Sequence, residues 1–295
     1  METVFLPSPP YARKTVTAVG FFDGVHIGHR ALLCETVRLA REIGAVPALF
    51  TFDVLPCKEG APLSSLKERL SLFEACGIEA VFISRFEDVA SLSPRKFVED
   101  ILKKLCGARA AVCGYNFRFG KNAVGTASDL LSLLPQSRVL DALKKNGVPV
   151  SSSRIRALLA EGKVEEAKEL LGAPYTLCAT VEHGKALGRT LGFPTVNMRP
   201  GELLPKDGVY ETRVRVGDAL YAGVTDIGHR PTVEGAGERR METHLIGYTG
   251  NLYGQALSVS FVRRMRDELT FESPEALALR LRTDAEEAER NFKHE

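Results

Sequence analysis

The sequence predicts two domains of different class, an α/β domain on a parallel sheet followed by an antiparallel β-barrel or sandwich. Three observations predict it. The first half alternates strand-like and helix-like segments, the pattern of parallel strands covered on both faces. From Tyr175 to about Val262, short β-rich runs are separated by Gly, Pro and Asp turns. And 295 residues favour two modest cores over one large one.

The elements follow in order. Thr15–Phe22 reads as a buried strand ending at the turn Asp23-Gly24. Residues 27–43 carry apolar side chains at helical spacing (Ile27, Leu32, Leu33, Val37, Ala40), and Gly44 stops that helix. Val46–Phe52 is a strand, Leu66–Cys76 a helix ended by Gly77, and Ala80–Ser84 a strand. Pro94–Cys106 reads as a helix ended by Gly107, and Ala110–Cys113 as a strand. Ser151–Ala160 and Val164–Leu171 are short helices, with Ala173-Pro174 as a linker, so the domain boundary is expected at 172/173. The β-rich runs are Cys178–Glu182, Val209–Val216, Leu220–Thr225, Thr243–Tyr248 and Ala256–Phe261. Ser273 caps a closing charged helix that runs to Lys293, with Pro274 at its first position.

Composition excludes several classes. With 44% hydrophobic and 26% charged residues the chain can bury real cores and is not disordered. A net charge of +2 disfavours a nucleic-acid binder held by a large basic surface. No apolar run reaches a membrane span, and the start METVFLPSPPYARK lacks the layout of a signal peptide. The expected setting is cytoplasmic, with no membrane and no nucleic-acid partner. The six scattered cysteines form no CxxC and are expected to be reduced, mostly buried thiols.

In parallel sheets ligands bind beyond the carboxyl ends of the strands, which directs attention to the loops after Phe22 and Cys113. The first is Gly20-Phe21-Phe22-Asp23-Gly24-Val25-His26-Ile27-Gly28-His29, between a strand and a helix start. A helix start offers unpaired N–H groups and a positive dipole end to phosphate. His26 and His29 share one side of the first turn, where imidazoles can donate to phosphate oxygens as charge builds. Gly28 removes a side chain where phosphate would approach. The second loop is Gly114-Tyr115-Asn116-Phe117-Arg118-Phe119-Gly120-Lys121, in which Arg118 and Lys121 could reach a triphosphate; it is not a P-loop. Ser151-Ser152-Ser153-Arg154-Ile155-Arg156 joins hydroxyls at a helix start to arginines, as an anion clamp does, or an ordinary capped helix.

In the second half, Gly184-Lys185-Ala186-Leu187-Gly188-Arg189-Thr190-Leu191-Gly192-Phe193-Pro194-Thr195-Val196-Asn197 bends backbone closely around something, either a ligand or its own turn. Thr195 and Asn197, if extended, point to one side and offer two oxygens to a hard cation such as Mg²⁺. Lys185 or Arg189 could neutralise ATP phosphates.

Taken together these motifs resemble the prokaryotic bifunctional riboflavin kinase/FMN adenylyltransferases over nearly the whole chain. GFFDGVHIGH, Thr51-Phe52-Asp53, GYNFRFG and SSSRIR carry the resemblance in the first half. GKALGRTLGFPTVN, Leu204-Pro205-Lys206-Asp207-Gly208-Val209-Tyr210, Gly223–Thr232, Glu242-Thr243-His244-Leu245 and Leu252-Tyr253-Gly254 carry it in the second. Val54-Leu55 departs from the family's Pro-His, and Ser153 stands where Thr is usual.

The resemblance implies a Rossmann-like nucleotidyltransferase domain over 1–172. It implies a six-stranded Greek-key riboflavin kinase barrel, closed by the C-terminal helix, over 173–295. It implies riboflavin, FMN and ATP as substrates, Mg²⁺ as cofactor, and a monomer or weak homo-oligomer. Gly20, Phe22, Asp23, Gly24, His26, Gly28, His29, Asn116, Arg118, Ser152, Ser153 and Arg156 would bind nucleotide in the first domain. Gly184, Lys185, Gly188, Arg189, Thr195 and Asn197 would do so in the second, the last two through Mg²⁺. His26 and His29 would be catalytic, Glu242 would be general base to the ribityl hydroxyl, and Phe193, Pro194 and Arg266 would face the flavin.

Overall fold

The computed structural model describes residues 1–54, 61–183, 192–229 and 239–294. The backbone divides into two compact units, Met1–Ser152 and Ser153–Glu295.

The first unit is built on six parallel strands: β1 (Glu2–Phe5), β2 (Thr15–Val19), β3 (Val46–Phe52), β4 (Ala80–Ser84), β5 (Ala108–Gly114) and β8 (Arg138–Leu140), in the spatial order β1-β4-β3-β2-β5-β8. Every residue of β2, β3 and β4 is buried, as strands covered on both faces must be. Helices α1 (Ile27–Ile43) and α2 (Leu66–Ala75) press Leu33 and Phe73 onto Leu49, Val81 and Ile83. The opposite face of the sheet, with Phe50, Phe82 and Ala111, takes Phe97, Val98, Leu102 and Leu130. Each such fully buried side chain contributes about 1.5–3 kcal/mol. Helix α1 ends where Gly44 turns left-handed (φ 63), its N–H satisfying carbonyls of the last turn. Ser65 and Glu68 cap α2 reciprocally.

The helix expected over Pro94–Cys106 is different in kind. A single α turn, α4 (Pro94–Lys96), continues as a π-helix, Phe97–Leu105, and the Cys106 N–H reaches five residues back to the Ile101 carbonyl. Strand β2 also stops at Val19, three residues short of expectation, and Phe22, which was expected to end it, is left-handed. Strand β1, helix α3 (Phe86–Ala90), the hairpin β6–β7 (Arg118–Phe119, Gly125–Thr126), α5 (Ala127–Leu133), β8 and the hairpin β9–β10 (Lys144–Lys145, Val148–Pro149) were not foreseen.

The second unit begins within α6 (Ser152–Ala160), continues through α7 (Val164–Leu171), and its core is a closed antiparallel barrel. Its strands are β11 (Tyr175–Glu182), β12 (Thr195–Met198), β13 (Gly208–Val216), β14 (Ala219–His229), β15 (Arg239–Leu245) and β16 (Ala256–Arg266). Around the barrel they run β11-β12-β15-β14-β13-β16, and β16 closes on β11. Strands β13, β14 and β15 are consecutive neighbours and β16 returns beside β13, which is a Greek key. Inside, Tyr210 meets Phe261 edge to face, and the hydroxyls of Thr212, Thr225 and Thr243 form a chain at 2.9 Å per link. Each buried hydroxyl thereby has a partner, which avoids the cost of an unmade bond. Both α6 and α7 belong to this unit by packing: the Lys206 N–H donates to the Leu159 carbonyl, and Gly162 sits against Arg264 and Tyr210.

Helix α8 (Pro274–Lys293), N-capped by Ser273, is tied to the barrel by two buried carboxylates. Glu211 accepts from Arg213, Arg263 and, on α8, Asn291. Asp284, wholly buried on α8, receives two N–H bonds from Arg266 and pairs with Arg280. A buried carboxylate is tolerated when it is paired with such cations.

Among the described residues all five cysteines are free thiols. Cys106 and Cys113 are buried, and burial raises both thiols, Cys113 to about 11. Cys34 and Cys178 are exposed, contrary to the expectation of mostly buried thiols, and Cys57 lies outside the described residues.

Candidate functional site

In the first unit the site forms where β2 gives way to α1. The turn between them is strained: Phe22 (φ 53) and Val25 (φ 39) are left-handed without being glycine. Each such residue costs about 1–3 kcal/mol and persists only where its surroundings impose it. Here they do. The Leu63 N–H donates to Asp23 Oδ1 at 2.9 Å, the Gly24 N–H to Ser64 Oγ at 3.0 Å, and the Ser152 hydroxyl to the Asp23 carbonyl at 2.9 Å. Buried Arg69 donates to the Phe21, Phe52 and Asp53 carbonyls, fixing the ends of β2 and β3 together.

The strained turn delivers His26 to the N-cap of α1. Its Nδ1 accepts the His29 N–H at 3.2 Å, and the two rings stack with centroids 3.6 Å apart. Burial lowers His26 to about 4, and burial together with the neighbouring His26 holds His29 well below its ordinary value. Both imidazoles are therefore neutral at pH 7. Because His26 accepts at Nδ1, its hydrogen is on Nε2. His29 Nδ1 is buried and makes no hydrogen bond among the described residues. The pair presents neutral ring nitrogens beside the unpaired N–H groups of a seventeen-residue helix, a setting for phosphate rather than for a permanent cation.

Gly28 has a reason beyond the one read from sequence. A Cβ there would lie 3.2 Å from the His26 imidazole, so glycine leaves room for the ring. Phe22 is buried behind the site, its ring edge-on to His29, and Gly20 accommodates that same Phe22 ring. Asp23 is buried and accepts the Leu63 N–H described above. Asn116 and Arg118 are exposed, on and just beyond the tight turn Phe117 N–H to Gly114 carbonyl at the end of β5. Ser152 falls in the first unit, while Ser153 and Arg156 fall in the second, on α6.

An aromatic run was missed in the sequence. Phe21 (48% exposed), Phe52 and Phe86 (38% exposed) follow one another at 5.4 Å between centroids, at the ends of β2 and β3 and the start of α3. Val54 beside them is 75% exposed. Exposed aromatics at the carboxyl ends of parallel strands were the available signal.

In the second unit the barrel register gathers a polar row. Asn197 of β12 lies opposite Glu242 of β15, and Glu242 lies opposite Asp226 of β14. Residues directly opposite project to the same side of a sheet. The interior positions of β15, Met241, Thr243 and Leu245, are all buried, so the row faces outward. Asn197 is nonetheless only 5% exposed, and its Oδ1 has no hydrogen-bond partner among the described residues. Such an atom is costly unless something completes it. Thr195, two residues earlier on the same strand face, lies opposite His244. His244 Nδ1 is 2.8 Å from the Pro194 carbonyl, and its ring is edge-on to Phe193, so residues 193–194 are held against β15.

Asp226 was not foreseen as a site residue. Burial, helped by the charges of Glu268 and Glu242, pushes its carboxyl up to about 6. Its position opposite Glu242 is legible only from the register. Arg266 stands in the same row through Val209, but its guanidinium is committed to Asp284 and to the Asp267 carbonyl. Gly184, Lys185, Gly188 and Arg189 lie outside the described residues.

No group of three or more His, Cys, Asp or Glu side chains suited to a metal occurs among the described residues. The fit for Mg²⁺ is of another kind: an orphaned amide oxygen and a threonine on one strand face, to be completed by substrate phosphates and water.

Fold and residues together define a chain with two candidate sites for nucleotide phosphates, one at a parallel-sheet helix mouth and one on a barrel wall. Residues 8–154 match the family model described as FAD synthetase, and residues 171–292 match that described as riboflavin kinase. The bifunctional riboflavin kinase/FMN adenylyltransferase of Listeria monocytogenes is 31% identical, across 99% of this chain and 98% of its own. That of Bacillus subtilis is 33% identical, with the same coverage. That of Escherichia coli K12 is 33% identical across 91% and 90%. The chain belongs to the bifunctional riboflavin kinase/FMN adenylyltransferase family. A crystal structure described as a macrolide-efflux protein from Streptococcus pneumoniae is 29% identical and superposes with a TM-score of 0.90 over 99% of both chains. Among the described residues of the present chain, no helix is long and apolar enough to cross a membrane.

Proposed function

We propose that each half of the chain performs one of the two activities for which its family is named. Residues 173–295 transfer the terminal phosphoryl group of ATP to the 5′-hydroxyl of riboflavin, giving FMN and ADP. Residues 1–172 transfer the adenylyl group of a second ATP to the FMN phosphate, giving FAD and pyrophosphate.

In the kinase reaction Glu242 takes the hydroxyl proton as the new phosphorus–oxygen bond forms. A primary alcohol is too weak an acid to ionise unaided at neutral pH, and a positioned base contributes about 10²–10⁴-fold. Thr195 and Asn197 would hold Mg²⁺, which when bound would supply positive charge beside the transferred phosphoryl group. The unpartnered, buried Asn197 Oδ1 directly opposite Glu242 is the observation that carries this assignment. Phe193 and Pro194, fixed by His244, form a wall for the flavin. The nucleotide phosphates are assigned to Gly184, Lys185, Gly188 and Arg189, and Arg266 to the flavin side.

In the adenylylation, ring N–H groups of His26 and His29 and the start of α1 stabilise charge building on the α-phosphate. Neutral donors suit this role because they bind charge as it develops without a prior protonation. Ser152 supports the turn that presents them, and Asn116 and Arg118 complete the nucleotide contacts. The run Phe21–Phe52–Phe86 offers the planar flavin ring a stacking surface.

Chromatographic separation of flavins formed by His29→Ala and Glu242→Ala variants tests the reading. The first should make FMN but no FAD. The second should make FAD from supplied FMN but no FMN from riboflavin. Equal loss of both steps in both variants contradicts the assignment of separate sites.

A further inference from the structure

At the opposite end of the first unit's sheet lies a cavity of about 390 Å³ that the two activities do not use. It opens beside the starts of β2 and β5, whereas His26 follows the end of β2, so the length of the strand, roughly 15 Å, separates the two places. Five cations line it, Arg13, Lys14, Lys103, Lys104 and Arg109, and no acidic side chain does. That is uneven for a chain with 39 basic and 37 acidic residues. Among the described residues only Arg13 has an acidic partner, Glu79 at 3.7 Å. Lys14, Lys103, Lys104 and Arg109 form no ion pair among the described residues.

The bland account is that Lys103 and Lys104 answer the negative end of their helix. It covers two cations of the five. Two carbonyls at that helix end are also satisfied already: Leu105 accepts the Tyr11 N–H at 2.9 Å, and Cys106 accepts the Thr15 hydroxyl at 2.9 Å. The floor is rigid. Gly107 (φ 69) packs so closely against the loop before β2 that a Cβ there would lie 2.5 Å from the Arg13 carbonyl oxygen, and its own carbonyl accepts the Thr15 N–H. The cations are thus displayed from three segments on a fixed base, beside an apolar edge of Tyr11, Leu133, Leu134 and Pro135. The volume suits a small molecule.

We propose that this cavity is a second anion site, which binds an oligophosphate, either free or as the tail of a nucleotide. The cations take the phosphate oxygens, and the apolar edge is available to a nucleobase. The site stands independently of the activities proposed above.

Lysine acetylation footprinting of the full chain, read by mass spectrometry during titration with tripolyphosphate or with ATP, tests it. Lys14, Lys103 and Lys104 should become protected saturably, while the exposed Lys67 and Lys168 keep their reactivity. Arg109→Glu, which leaves all these lysines in place, should abolish that protection. Protection by ATP at lower concentration than tripolyphosphate identifies a nucleotide as the occupant, and equal potency identifies the phosphate chain alone. Protection of no lysine, equal protection of Lys67 and Lys168, or full protection in Arg109→Glu overturns the proposal.

Discussion

Acidification should loosen the first unit through its histidine pair. The unfolded chain takes up a proton on each imidazole near the ordinary value of 6.5, whereas folded His26 does so only near 4. Between those values the unfolded state holds a proton that the folded state lacks. Stability is therefore complete above pH 6.5 and falls as the pH drops towards 4. At about 1.4 kcal/mol per pH unit, His26 alone accounts for about 3 kcal/mol across that window. The group is only 5% exposed, so little solvent discount applies. His29, also lowered, adds in the same direction. Hydrogen exchange of β2 and α1 amides, corrected for intrinsic rates and followed from pH 7 to 4.5, measures the local opening free energy without requiring both units to unfold together. His26→Asn keeps a side-chain acceptor at the helix cap but removes one titrating group, so its pH dependence should be visibly shallower. An unchanged slope in His26→Asn refutes the argument that burial of this ring sets the acid response.

Other outcomes follow from the same geometry. Gly28→Ala should slow FAD formation and spare FMN formation, because its Cβ would press on the His26 ring at 3.2 Å; assays of each half-reaction read this. Asn197→Ala should raise the Mg²⁺ concentration needed for riboflavin phosphorylation, with adenylylation of supplied FMN as the internal control. Asp284→Ala strips the buried partner from Arg266 and should cost about 3–5 kcal/mol, seen as a lower unfolding midpoint for the barrel unit.

The periodic elements were the legible ones. Residues 27–43, 46–52, 80–84 and 164–171 fold with the bounds read from sequence. In each helix an αL glycine, Gly44 or Gly172, marks the stop chemically as well as by pattern. The π-helix was not legible, because the same apolar spacing serves an α-helix, and the choice shows only in the Cys106 to Ile101 hydrogen bond. Strands β1 and β8 are three or four residues long and carry too little pattern to register.

At the sites, His26, His29, Thr195 and Asn197 were singled out by local spacing, and Glu242 only by the family resemblance. Their supports were not. Ser64 and Arg69 reach the strained turn across 40 and 48 residues, and Asp226 meets Glu242 only through the pairing of two strands. Residue spacing does not encode such long-range partners.

A flavin time course from riboflavin and Mg·ATP, with the wild-type chain, tests the central claim most directly. FMN should rise first and FAD should follow at its expense, with ADP and pyrophosphate released in step with the two flavins. A chain that converts riboflavin to FMN and never makes FAD, or that does neither, contradicts the account.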